Sequence, residues 1–320
     1  MGLLCYDLDP TEVFLTAETG KIDLAHVESF LAPLAGTQVR RFFFCPAAAT
    51  AITRLEHWEL FASGFDAGKG PEQEALRGHP GLFRLASNVH RMLDAGVDIV
   101  DYVLQCSRKH RMEAWLTMRM NDMHDAEDET SPLHSTWWRQ HPELRISPVP
   151  YENGLDFSRP EVLQLVWERG AELIDKYPID GFQTDWLRFP MFFRHGEGRA
   201  NAERITDLMR RFREKITAKE RRTNLKIGFS ARVPGLPDTA AELGLDVAAW
   251  CREAWIDNLV VAPFLTMDGG LPVAEWRRIA GPEISLFYGL EIMTSASLAA
   301  PRSFAGEEEW RGAAAYALRH

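Results

Sequence analysis

Two acidic residues each follow an apolar, β-rich run: Asp185 in the stretch GFQTDWLR and Glu291 after YGL. Two carboxyl groups facing each other suit glycosidic bond cleavage, where one donates a proton and the other acts as nucleophile or base. Other polar residues also follow apolar runs: Arg119, Asp122 and His124 in RMNDMH, Arg188 after Asp185, and Arg232 after GFSA. Three guanidinium groups at one edge can lower a carboxylate's pKa or clamp an anionic sugar through bidentate bonds. Each can equally pair with a nearby carboxylate as scaffolding. An aspartate at a strand end often caps the next helix, but Arg188, Phe189 and Pro190 intervene before any helix can follow Asp185.

Flat aromatic faces offer a sugar a large apolar area with a polar tip. The chain has 10 tryptophans, and the adjacent Trp137 and Trp138 in an acidic, aromatic stretch, with Trp186 beside Asp185, are candidate sugar contacts. Trp115 sits inside a strand pattern and is expected to pack in the core. Other chemistries find little support. The histidines lack the HExxH spacing, and residues 122–129 lack the calcium-loop glycine and are expected to form a solvated acidic loop. GFSAR has arginine where a nucleophile elbow needs its second glycine, and neither GxGxxG nor a P-loop occurs. We expect no metal and no cofactor.

These residues need a scaffold that gathers strand ends at one face. Short β-rich runs alternate with helical patterns throughout, the signature of parallel βαβ units. Strands are predicted at residues 13–17, 39–45, 112–120, 181–187, 226–231, 258–265 and 284–290, with helices at 23–34, 82–94, 97–110, 159–177, 202–219 and 307–318. The fold class expected is α/β, a (β/α)8 TIM-type barrel forming a single domain over residues 1–320, with long insertions at about 47–80 and 122–158. In such barrels the working residues sit at the C-terminal ends of the strands. Seven strands leave the barrel one short. Either the sequence stops before its last strand, the reading we favour, or the early run at residues 3–6 fills the gap.

A chain of 320 residues accommodates one barrel of about 250 residues plus insertions. Its formal net charge of −10 argues against nucleic acid or an anionic membrane as partner. The basic residues from Arg210 to Arg222 recur at helical spacing and are read as a solvated helix face. Four scattered cysteines form no CxxC pair, so free thiols in a reducing compartment are expected. No signal peptide and no membrane span are evident, and a cytoplasmic location is the default expectation. The oligomeric state is not legible.

The segments RMND (119–122), DGFQTDWLRFP (180–190) and YGLE (288–291), with the helix entry LDFSRPEV (155–162), resemble the glycoside-hydrolase-like family 10 group from about residue 37 onward. That resemblance implies a barrel and a carbohydrate substrate. In the retaining barrel hydrolases it resembles, the acid/base follows strand four and the nucleophile strand seven, which corresponds to Asp185 and Glu291. Those enzymes usually carry Asn-Glu where this chain has Thr184-Asp185, which leaves open whether Asp185 is the nucleophile and Glu291 or Asp122 the acid. The substrate would be an oligo- or polysaccharide, bound by Arg119, Asp122, His124, Trp137, Trp138, Trp186, Arg188 and Arg232. Alternatives are a sugar-binding barrel without catalysis, or a uronate lyase using His124 or Tyr288 as base beside Arg119 or Arg232.

Overall fold

The computed structural model describes residues 3–147, 153–264, 266, 270–295, 301 and 303–319. Seven strands form one parallel sheet in sequence order: β1 (Leu4–Leu8), β2 (Val39–Phe44), β3 (Glu113–Arg119), β4 (Gly181–Asp185), β5 (Gly228–Pro234), β6 (Asn258–Ala262) and β7 (Ser285–Tyr288). Helices connect them, the longest being Pro160–Lys176 and Gly198–Thr223. Phe42, Phe44, Phe182 and Phe229 are buried on the outer face of the sheet, and Val166, Ile205 and Phe212 of the two long helices belong to the same core.

The sheet is strongly curled. In a flat sheet β2 and β6, four strand spacings apart, would be separated by about 19 Å. Here Arg41 of β2 donates from Nη1 to Asn258 Oδ1 of β6 at 2.9 Å, and its guanidinium lies 5.5 Å from the Phe287 ring of β7. The fold is therefore a (β/α) barrel built from seven strands. Among the described residues no strand pairs with the outer edges of β1 and β7, so the wall is open there.

One side chain fills the lower interior. Trp115 projects inward from β3 and lies across Gly181 of β4 and Gly228 of β5, its register partners along one row. A Cβ at Gly181 would stand 2.2 Å from the indole, and one at Gly228 2.4 Å from it. Below, Glu113 Oε2 accepts from the Trp115 indole at 2.9 Å and from Arg41 Nε at 2.8 Å. Above, Thr117, Gln183 and Ser230 form a hydrogen-bonded row.

Two elements correct the expectations. Residues 13–17 are no strand: Pro10–Thr16 is a helix, capped by Asp9, whose side chain accepts from Thr11 N, with Pro10 at its start. The first strand is Leu4–Leu8 instead, so the early run does belong to the barrel wall. The sixth strand ends at Ala262, and the part of that prediction at Leu265 lies outside the described residues. The insertion at 47–80 folds around buried Ala51, Trp58, Phe61 and Leu76, while residues 148–152 of the second insertion lie outside the described residues. Among the described residues no helix is long and apolar enough to cross a membrane.

Gly181→Ala should cost about 1–3 kcal/mol through overpacking against the Trp115 indole. Urea unfolding measures it, and combining the change with Trp115→Leu should recover part of the loss, because the two positions share one contact.

Candidate functional site

Side chains alternate along a strand, so every second residue of β3, β4 and β5 faces the interior. At the upper end this places Arg119, Asp185 and Arg232 side by side as register partners on three neighbouring strands. The same alternation turns Trp186 outward. It is fully buried, donates from its indole to Thr184 Oγ1 at 2.9 Å, and packs on Phe157, Phe192 and Trp250. Trp186 is a core residue and not a sugar contact.

Arg232 ties the two proposed carboxylates together. It donates from Nη1 to Asp185 Oδ2 at 3.1 Å and from Nη2 to Glu291 Oε1 at 2.8 Å. The carboxyl groups are thus separated by no more than one guanidinium and its two bonds. Asp185 Oδ1 also accepts from the backbone N–H groups of Leu187 and Arg188, at 3.0 and 3.2 Å, which turns the chain out of the strand. Glu291 offers only Oε1, and its second oxygen has no partner among the described residues. Burial pushes the Glu291 carboxyl up from its ordinary value; Arg232 pulls it down, the Asp185 charge adds to the rise, and the rise prevails.

A second cluster stands beside the first. Arg119 donates to Asp9, the helix cap next to β1, and from Nη1 to Asp122 Oδ2 at 3.2 Å. Asp122 Oδ1 accepts from His124 Nδ1 at 2.8 Å and from the His124 backbone N–H at 3.1 Å. Burial raises the Asp122 carboxyl, but His124 and Arg119 overcome it and hold the group well below the usual range. Arg188 Nη2 lies 2.8 Å from His124 Nε2. A guanidinium can only donate, so in this contact Nε2 accepts from Arg188 while Nδ1–H donates to Asp122. The Arg188 Nε is buried without a hydrogen-bond partner.

Asp7, on β1, was not anticipated from the sequence. Burial among protein atoms pushes its carboxyl up, Arg232 and Arg119 oppose this, and the Asp185 and Asp9 charges reinforce it. Because Asp7 keeps solvent contact at the edge of the sheet, water offsets part of that push. The alternation Leu4, Tyr6, Leu8 against Cys5, Asp7, Asp9 was the available signal.

The two loop tryptophans separate. Trp138 is 5% exposed, with His134 stacked at 4.0 Å and the Arg145 guanidinium 3.5 Å from its ring centre. With contacts to its ring already made by these two side chains, Trp138 is not a sugar platform. Trp137 is half-buried and lines a narrow cavity with Arg119, Asn121 and Asp122, so it stays near the charged residues. The acidic stretch at 122–129 is not uniformly solvated, since the Asp122 side chain is 2% exposed and Ala126 is buried. The basic face at 210–222 is largely ion-paired, through Asp207, Glu214, Asp175 and Asp257, while Lys219 is buried on the carbonyls of Ile174 and Tyr177. All four cysteines are free thiols.

No family model matches the chain, and no curated protein matches it. Solved structures similar to it include the chitinase ChiW from a Paenibacillus species (9% identity, 89% of this chain and 29% of that one, TM-score 0.47). Others are a glycoside hydrolase family 18 N-acetylglucosaminidase from Paenibacillus barengoltzii (12%, 62% and 57%, TM-score 0.40) and a maltogenic α-amylase from Thermotoga neapolitana (12%, 87% and 52%, TM-score 0.43). The chain spans between 29% and 57% of the length of these proteins. Likeness this remote identifies neither substrate nor catalytic residue, since one barrel fold hosts many chemistries.

Asp122→Asn should destabilise the fold at neutral pH by roughly 3 kcal/mol, because it leaves the buried Arg119 charge short of a partner. A carboxyl held below its unfolded value, about 3.9 for aspartate, stabilises above that pH and loses the contribution as pH falls. The gap between wild type and variant in urea unfolding should therefore narrow as the pH is lowered through and below about 3.9.

Proposed function

We propose that the chain is a glycoside hydrolase acting on an oligo- or polysaccharide at the upper end of its barrel, with Glu291 as proton donor and Asp185 as partner carboxylate. The observation that carries this reading is the single Arg232 guanidinium bound to both carboxylates, which come from the ends of different strands. An acid must keep its proton near the working pH, and the upward displacement of Glu291, together with an oxygen unengaged among the described residues, suits that role. Asp185 is held in one orientation by three N–H donors, as a nucleophile or base requires. Asp122, His124, Arg188 and Trp137 would orient the sugar, and Arg119 would hold Asp122. The resemblance to the glycoside-hydrolase-like family 10 group, carried by the motifs at 119–122, 180–190 and 288–291, supports the same assignment.

One observation favours a second reading, a sugar-binding barrel without turnover: the Asp185 carboxylate is 3% exposed as a residue and serves a turn as well as an ion pair.

Replacing Glu291 with Gln should lower kcat by about 10²–10⁴-fold, the usual worth of a general acid, while leaving sugar binding intact. Reducing-end release from a polysaccharide panel measures turnover. Wild-type activity should fall as pH rises through the displaced Glu291 value, and the variant should lack that limb. Turnover equal to wild type in the Gln variant rules the pair out, and sugar binding without turnover in the wild type selects the binding protein.

A further inference from the structure

A second cleft, of about 370 Å³, opens between the insertions at 47–80 and 122–158, and none of the charged residues around Arg232 lines it. Its volume is within the range of about 300–1,000 Å³ usual for small-molecule sites. His134 belongs to its wall and is fixed: its ring stacks on Trp138 and its Nε2–H donates to the Asp125 carbonyl at 2.8 Å. Arg139 is fixed too, donating from Nη1 to the His134 carbonyl at 2.5 Å and from Nη2 to Thr136 Oγ1 at 3.1 Å.

The charges around this cleft do not balance. Glu59 is engaged by the Thr136 backbone N–H and hydroxyl, and stands 3.8 Å from Arg139. Lys69 and Arg77 also line the cleft, are exposed, and have no side-chain hydrogen bond or ion pair among the described residues. Arg77 lies close enough to Arg139 that its charge, after burial, lowers the Arg139 pKa. Three cations, Lys69, Arg77 and Arg139, face two carboxylates, Glu59 and Glu74, which leaves one net positive charge. In a protein of net charge −10, like-charged guanidiniums gathered at one concave surface call for an anion between them.

We propose that this cleft is a second binding site, for a small hydroxylated monocarboxylate of the uronic acid class. Arg77 and Lys69 meet the carboxylate, for which the planar guanidinium fork of Arg77 is well shaped. The exposed Glu74 and Ser63 accept hydrogen bonds from the ligand's hydroxyl groups, which favours a polyhydroxylated acid over a plain aliphatic one. One net positive charge matches a monoanion better than a phosphate dianion. The saccharide form of the ligand rests on the proposed function; the pairing of one carboxylate with hydroxyl groups rests on the lining alone.

Calorimetric titration of the full chain with D-glucuronate, glucose and inorganic phosphate tests this. Glucuronate should bind saturably and glucose should not. Arg77→Gln and, independently, Lys69→Ala should each weaken glucuronate at least tenfold with an unchanged melting temperature, and Glu291→Gln should leave it as in wild type. No saturable glucuronate binding, binding indifferent to both cleft variants, or phosphate bound more tightly than glucuronate would each overturn the proposal. Loss of glucuronate binding in Glu291→Gln alone would also overturn it, by placing the ligand at the barrel's upper end. Because turnover is read separately, failure of the cleft and failure of the hydrolase assignment are distinguishable.

Discussion

The interior of this barrel is organised by Trp115. An indole can cross the space between strands only where its neighbours carry no side chain, and Gly181 and Gly228 meet that condition as register partners on β4 and β5. The ring closes the lower interior as a solid core, and Arg41 and Glu113 seal it from beneath through hydrogen bonds and the guanidinium 5.0 Å from the ring centre. Two polar rows are stacked above it, first the Thr117, Gln183 and Ser230 row and then the charged row. Adding a methyl group at either glycine would disturb the level on which both rows stand.

The charged row is poor evidence for stability, because desolvating an ion pair costs about what its attraction returns. Its effect is orientation. Arg232 holds residues from the ends of β4 and β7, and Arg119 holds the helix cap Asp9 to the loop residue Asp122. Asn121 does similar work without charge: its amide donates to the carbonyls of Leu155 and Met191, and its oxygen accepts from Leu155 N. Segments far apart in the chain are thereby held in one geometry around the barrel's upper end.

Much of the wall was legible because six strands read as β-rich runs, VRRFFF and EAWLTMR among them. The first strand was not. Residues 13–17 carry Val, Phe and Leu and look extended, yet Asp9, Pro10 and Glu12 ahead of them form a helix start, with an acidic cap, a fixed φ and a first-turn acid. Strand parity also separates Asp185 from Trp186: adjacent residues face opposite sides, so only one of them can enter the interior. The pairing of Asp9 with Arg119 spans 110 residues, and no local pattern announces a contact of that range. Nor does spacing reveal that Trp138 is covered, since His134 and Arg145 reach it through the fold of the insertion.

Among the described residues, the unpaired outer edges of β1 and β7 have an electrostatic consequence. Asp7 keeps solvent contact there, so dissolved ions can approach the charged row from the side as well as from above. At physiological ionic strength the screening length is about 8 Å, comparable with the two strand spacings, about 10 Å, between Arg119 and its fellow row member Arg232. The balance among Asp7, Arg119, Asp185 and Arg232 is therefore tunable by salt, unlike the same charges enclosed in a sealed wall, and the protonation of the carboxyl groups beside them becomes a property of the medium as much as of the fold.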